Sequence, residues 1–201
     1  MTKLMLEIHE VTCIDETGGK FQEKVGGDEI ALAGVQIDAE GRATAANRIR
    51  VGDFKKDGQV VRLTPPKLFA SFDLRKGSSF PRVYQAVLIL AELDQQGGLN
   101  DHVNKVVKEL QAVPVPAAMG GGLGALAAAA AVELGKLAVK EAADAIKGSL
   151  KDDPFPPVLE RLDVPSENFE FAKGSLKGPL IKKTVRAHDG VYQMIYGWRL
   201  A

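Results

Sequence analysis

Asp189-Gly190-Val191-Tyr192-Gln193-Met194-Ile195-Tyr196-Gly197-Trp198-Arg199-Leu200 is the stretch that decides the fold. Tyr192, Met194, Tyr196, Trp198 and Leu200 alternate with Val191, Gln193, Ile195, Gly197 and Arg199, the alternation that lines one face of a β-strand with large aromatic side chains. Such a face needs a core to enter, so Trp198 is expected to be buried. Asp189-Gly190 just ahead of it is a hairpin-turn dipeptide, which makes Ile181–Ala187 the antiparallel strand before it; Phe169–Ala172 reads as an earlier one.

The other end of the chain has the same character. Leu4, Leu6 and Ile8 alternate with Lys3, Glu7 and His9 in a half-buried strand, and a Gly-rich, charged loop over Thr17–Gly27 precedes a second strand, Ile30–Ile37. Short segments at Arg48–Val51, Gln59–Leu63, Lys67–Leu74 and Arg82–Leu93 are separated by turn chemistry at Asp57-Gly58, Pro65-Pro66 and Lys76-Gly77-Ser78. Strands recurring at roughly ten-residue spacing point to an antiparallel sandwich or barrel, not a parallel sheet.

The middle is helical. Val103, Val106, Val107 and Leu110 fall on one helical face, with Asp101 in the first turn where it complements the helix dipole, so the spacing predicts a helix over Asn100–Val113. Pro114 and Pro116 end it, and the Ala-rich run Ala117–Leu150 predicts a second helix, with Gly120–Gly122 as the turn and the helix proper starting near Leu123. Pro154, Pro156 and Pro157 close the region. The expected architecture is mainly β, an antiparallel sandwich in two parts, 1–96 and 154–201, interrupted by a two-helix hairpin at 97–153.

Composition bounds the function. The 201 residues suit one domain with an insertion, and 26 Lys plus Arg against 26 Asp plus Glu with 45% hydrophobic residues exclude disordered, collagen-like and polyanion-binding classes, nucleic acid included. Cys13 is the lone cysteine, so neither an intrachain disulfide nor a thiolate zinc site is expected, and its own role reads as a small buried hydrophobe. Met1–Glu10 is too charged for a signal peptide, which predicts a cytoplasmic protein or one exported by another route.

Leu6-Glu7-Ile8-His9-Glu10-Val11-Thr12-Cys13-Ile14-Asp15-Glu16-Thr17, Gly27-Asp28-Glu29-Ile30-Ala31-Leu32 and Asp189–Trp198 resemble poorly characterised bacterial β-sandwich proteins that share the strand layout of C2 domains. The resemblance covers the opening and closing segments only. It implies a binding or effector-type scaffold, in some cases calcium-dependent, and no catalytic residue.

Two sets of residues are candidates for a site. Asp15, Glu16, Asp28, Glu29, Asp152 and Asp153, with Asp94, lie at loop ends, where they are either solvated charges or, gathered at one end of a sandwich, part of the roughly six to eight oxygen ligands that calcium takes. Gly120, Gly124 and Ala128 stand four apart and, with Leu123 and Leu134, offer a glycine-zipper-like face to another helix, to a second copy of the chain or to a membrane. Gly122-Leu123-Gly124-Ala125-Leu126-Ala127 has dinucleotide-loop spacing, yet Val113-Pro114-Val115-Pro116 cannot be the buried strand that must precede one. His9, His102 and His188 form no local metal or hydrolase motif, although a His9–Cys13 pair would share a face of a regular strand. The expected function is a non-enzymatic binding module that engages a protein partner, itself or a membrane through its helices. The alternatives are a membrane-active, pore-forming effector and an enzyme of unrecognised class.

Overall fold

The computed structural model describes residues 3–16, 28–76, 79–93, 98–113, 124–147 and 153–201. Its elements in chain order are β1 (Lys3–Asp15), β2 (Asp28–Ile37), β3 (Ala43–Ala45), β4 (Ile49–Phe54), β5 (Val60–Asp73), β6 (Arg82–Glu92), α1 (Gly98–Gln111), α2 (Gly124–Lys147), β7 (Asp153–Pro154), β8 (Val158–Val164), β9 (Lys177–Ala187) and β10 (Gly190–Leu200). The chain is mainly antiparallel β with two helices, arranged in three layers.

The first sheet has the order β5-β1-β10-β9, which seats the aromatic strand β10 between two neighbours. Tyr192, Met194, Tyr196, Trp198 and Leu200 are all buried, as the alternation predicts. Antiparallel pairing brings the chain ends together, Leu4 opposite Leu200 and Leu6 opposite Trp198. The second sheet runs β3-β2-β6-β7, with β4 also pairing β2 and β8 also pairing β6. Between the sheets lies the main core, where Phe54 and Phe155 pack edge-on against Tyr192 and Phe72 lies between Tyr84 and Trp198.

The helices form the third layer, on the outer face of the second sheet. Leu99, Val103, Val106 and Leu110 of α1 and Leu134, Ala138 and Ala142 of α2 share a second core with Ala31, Ala33, Val35, Val87 and Ile89. This explains why residues 86–91 of β6 read as an unbroken apolar run: both faces of the strand are covered. Among the described residues no helix is long and apolar enough to cross a membrane.

Four local expectations change. Pro65-Pro66 is not a turn that ends a strand; β5 continues on both sides of it, because β5 is an edge strand where proline is tolerated. Its ladder with β1 jumps from Ile8–Lys67 to Glu10–Arg62, so residues 63–66 bulge out. The same step skips His9 in the β1–β10 ladder, and the inward side chains switch from Leu4, Leu6 and Ile8 to Val11 and Cys13. β1 is therefore not the regular strand that a His9–Cys13 face requires. Phe169–Ala172 is not a strand but leads into a 3₁₀ turn, Ala172–Gly174, and β8, rich in charge, is a strand that its pattern conceals. The β9–β10 turn centres on His188-Asp189, one residue earlier than predicted, with φ of 52° and 61° as a type I′ turn demands. The predicted turn at Gly120–Gly122 lies outside the described residues.

Candidate functional site

At the end of the molecule where β2 finishes, the two sheets part around a polar cleft of about 290 Å³. One wall is the link from β2 to β3. Here the Asp38 carboxylate accepts the backbone N–H groups of Glu40 (3.0 Å) and Arg42 (2.9 Å), and the Arg42 guanidinium returns to Asp38 (2.7 Å) and Glu40 (2.7 Å). The other wall is the end of β5 and the chain that follows it, where Asp73 holds Arg75 through both carboxylate oxygens (3.2 and 3.3 Å). Gln36 ties the walls together: its Oε1 accepts the Ser71 N–H from the other sheet (3.0 Å), and its Nε2 donates to Thr44 Oγ1 (3.1 Å). Arg82, buried on β6 with its guanidinium 4.1 Å over the Phe80 ring, donates to the carbonyls of Leu74 (2.6 Å) and Lys76 (3.1 Å) and so pins the second wall from beneath.

The charges are unevenly committed. Asp38 raises the Arg42 pKa through its hydrogen bond and charge, and the Arg75 hydrogen bonds lower that of Asp73. One arginine serves two carboxylates at the first wall, and at the second wall Asp73 is matched by Arg75. Tyr84, 1% exposed, also lines the cleft, and its hydroxyl has no hydrogen-bond partner among the described residues. Burial raises the Tyr84 phenol pKa against the opposing pull of the nearby Arg82, so the hydroxyl stays a donor.

The residues singled out from the sequence lie elsewhere. Asp15, Glu16, Asp28, Glu29 and Asp153 are at the ends of β1, β2 and β7, and each has its own environment. Asp15 is exposed at the end of β1, and Glu16 donates its N–H to Asp57 (3.0 Å). Asp28 accepts the buried Tyr192 hydroxyl (2.6 Å), Glu29 pairs with Arg50 (3.0 Å) and Asp153 lies 3.8 Å from His188 Nδ1. Among the described residues no three His, Cys, Asp or Glu side chains are grouped as a metal ion requires; Asp94 and Asp152 lie outside them. His9 sits at the β1 bulge, His102 in α1 and His188 in the β9–β10 turn, so no site unites them.

Of the small-residue face, Gly120 and Leu123 lie outside the described residues, Gly124 is the first residue of α2, Ala128 is half-buried and Leu134 is inside the helix–sheet core. The packed stripe is one turn further on, through Ala131, Gly135, Ala138 and Ala142; Gly135 lies against the Gln85 side chain, which donates to the Ala131 carbonyl.

The cleft residues escaped sequence reading because no motif joins them. Their signal was faint: Gln36 and Tyr84 are polar-tipped residues inside otherwise apolar strands. The chain matches no family model, no curated protein and no solved structure.

Proposed function

We propose that this protein is a non-catalytic binding module whose ligand is a small polar molecule held in the cleft between Gln36 and Tyr84. One observation carries the reading: Tyr84 lines a cleft whose Gln36, Asp38 and Arg42 are held by neighbours, and its own buried hydroxyl has no hydrogen-bond partner among the described residues. A buried donor left unpaired costs about 1 to 3 kcal/mol, so its retention fits a group satisfied by something that binds. Rigid walls braced by Gln36 and Arg82 suit recognition, because little ordering remains to be done on binding. In this reading the helices serve as scaffold: α2 spends its small-residue stripe on its own sheet and shows solvent the charged Glu133, Lys136, Lys140 and Asp144.

The test is a thermal-shift screen of polar, metabolite-sized compounds against the protein and against Thr44→Trp, which fills the mouth of the cleft. Compounds that raise the melting temperature of the parent alone support the reading. A screen in which no compound does so overturns it.

A further inference from the structure

The two edges of the first sheet differ. β5 is interrupted by the bulge at residues 63–66, whereas β9 runs for 11 residues with β10 as its one ladder partner among the described residues. The β9–β10 ladder is unbroken from Ala187–Gly190 to Leu180–Gly197. In a two-residue hairpin the pair flanking the turn exchanges backbone hydrogen bonds, and bonded pairs alternate from there. Ala187, Val185, Lys183 and Ile181 therefore bond to β10, and the N–H and C=O groups of Arg186, Thr184, Lys182 and Leu180 point away from the sheet. The side chains of these four lie on its outer face, where Thr184 accepts from Gln193 (3.2 Å) and Leu180 is 61% exposed.

Such an edge is a template for an added strand, and its charges say which one. β9 contains Lys177, Lys182, Lys183 and Arg186 and no acidic residue. All four are exposed, and none makes an ion pair with a described residue. The arginines of the shorter outer strands β4 and β8 are paired instead, Arg50 with Glu29 and Asp53, and Arg161 with Asp163. Lys183 shares the inward side of β9 with Ile181 and Val185, so a strand added beside β9 would cover it and must meet it with a carboxylate. A second copy of β9 would bring cation against cation, which is destabilising across a ladder.

We propose that β9 is a docking edge for an extended acidic segment of a partner protein, which adds to the first sheet as a further strand and sets its Asp and Glu side chains against Lys182, Lys183 and Arg186. This edge lies across the first sheet from β5, which walls the cleft, so the inference stands or falls apart from the binding role proposed above.

The probe is the peptide acetyl-Glu-Val-Glu-Glu-Thr-Glu-Val-Glu-amide, which carries Glu on both faces of an extended strand. It is compared with its Glu→Gln and Glu→Lys forms and with a form N-methylated throughout, which keeps the charge but cannot donate to a ladder. Each is titrated into the ¹⁵N-labelled protein, and amide hydrogen exchange is followed at saturation. The expected result is exchange slowed roughly tenfold or more at Leu180, Lys182, Thr184 and Arg186, a larger change than at Ile181, Lys183 and Val185, which are already bonded to β10. Each of the three other forms should bind roughly tenfold or more weakly, and the exposed change Lys183→Glu should weaken the Glu peptide to a similar degree. If the Gln, Lys or methylated form binds these amides as tightly, or if the Glu peptide fails to bind or binds without the alternating protection, the proposal is overturned. It also falls if the protein alone sediments as a dimer with the same four amides protected, since a second copy then occupies the edge.

Discussion

Gly34 is where β2 meets β6 in its own sheet and β5 across the core: a methyl group there would run into the Val87 carbonyl oxygen and reach the Phe69 ring at 3.0 Å. Gly58 differs, since its φ of +73° demands a left-handed residue but nothing lies within 4 Å of an added carbon. Gly34→Ala should therefore cost about 3 kcal/mol by overpacking, and Gly58→Ala only about 1 kcal/mol by strain; chemical denaturation of the two variants separates the cases. The Gly58 turn was legible, because Asp-Gly names a local conformation, but Gly34 was not, because its constraint comes from a strand far away in sequence. Cys13 shows the same limit. Its burial could be read from β1, yet its thiol pKa, pushed up to about 11, comes first from burial and then from Glu16, Asp28 and Asp57, with the Tyr192 hydrogen bond opposing. The unfolded thiol ionises near the ordinary 9.0, so above that pH the unfolded state binds fewer protons than the folded one and stability falls until about pH 11. Cys13→Ala removes this contribution, and unfolding curves of the variant should lose stability less steeply between pH 9 and 11 than those of the parent.

At the scale of elements, β10 was readable from its own alternation, and its five inward side chains are the ones named from sequence. Trp198 is 4% exposed and packs against Phe72; Trp198→Ala should cost about 3 to 5 kcal/mol, measured as a shift in the urea midpoint at constant slope. β1 was half readable. The alternation holds from Leu4 to Ile8, and then the bulge at His9 reverses which parity faces the core, a step that only the partner strands impose. β5 and β8 misled for related reasons. Paired prolines suggest a turn unless the strand is known to be an edge, and Val158–Val164 carries Glu160, Arg161 and Asp163 on a strand whose partner β6 supplies the apolar face. Tyr196 donates to Glu160 (3.0 Å), so even that charge has a task across the core.

At the scale of the whole molecule, the helices are the outer layer of a second core, not a separate unit. Leu134, 5% exposed, joins α2 to α1 and to the second sheet, and Leu134→Ala should cost about 2 to 4 kcal/mol in a cooperative transition that far-UV and near-UV circular dichroism report together. The existence of both helices followed from apolar spacing and alanine content; their docking place was foreshadowed only by β6, apolar on both faces. The cleft was the least legible feature, since Gln36, Asp38, Arg42, Lys76 and Tyr84 come from three separate segments that meet only when the sheets pack. In the proposed binding role a ligand, and not the protein, satisfies the Tyr84 hydroxyl. The unfolding midpoint of ligand-free Tyr84→Phe measures that claim most directly, with Tyr192→Phe as the contrast, because the Tyr192 hydroxyl is bonded to Asp28 at 2.6 Å. Tyr192→Phe should lose about 1 to 3 kcal/mol, and Tyr84→Phe should be as stable as the parent or more so. A loss of about 1 kcal/mol or more in Tyr84→Phe would show that the folded protein already satisfies the hydroxyl, and would contradict the account.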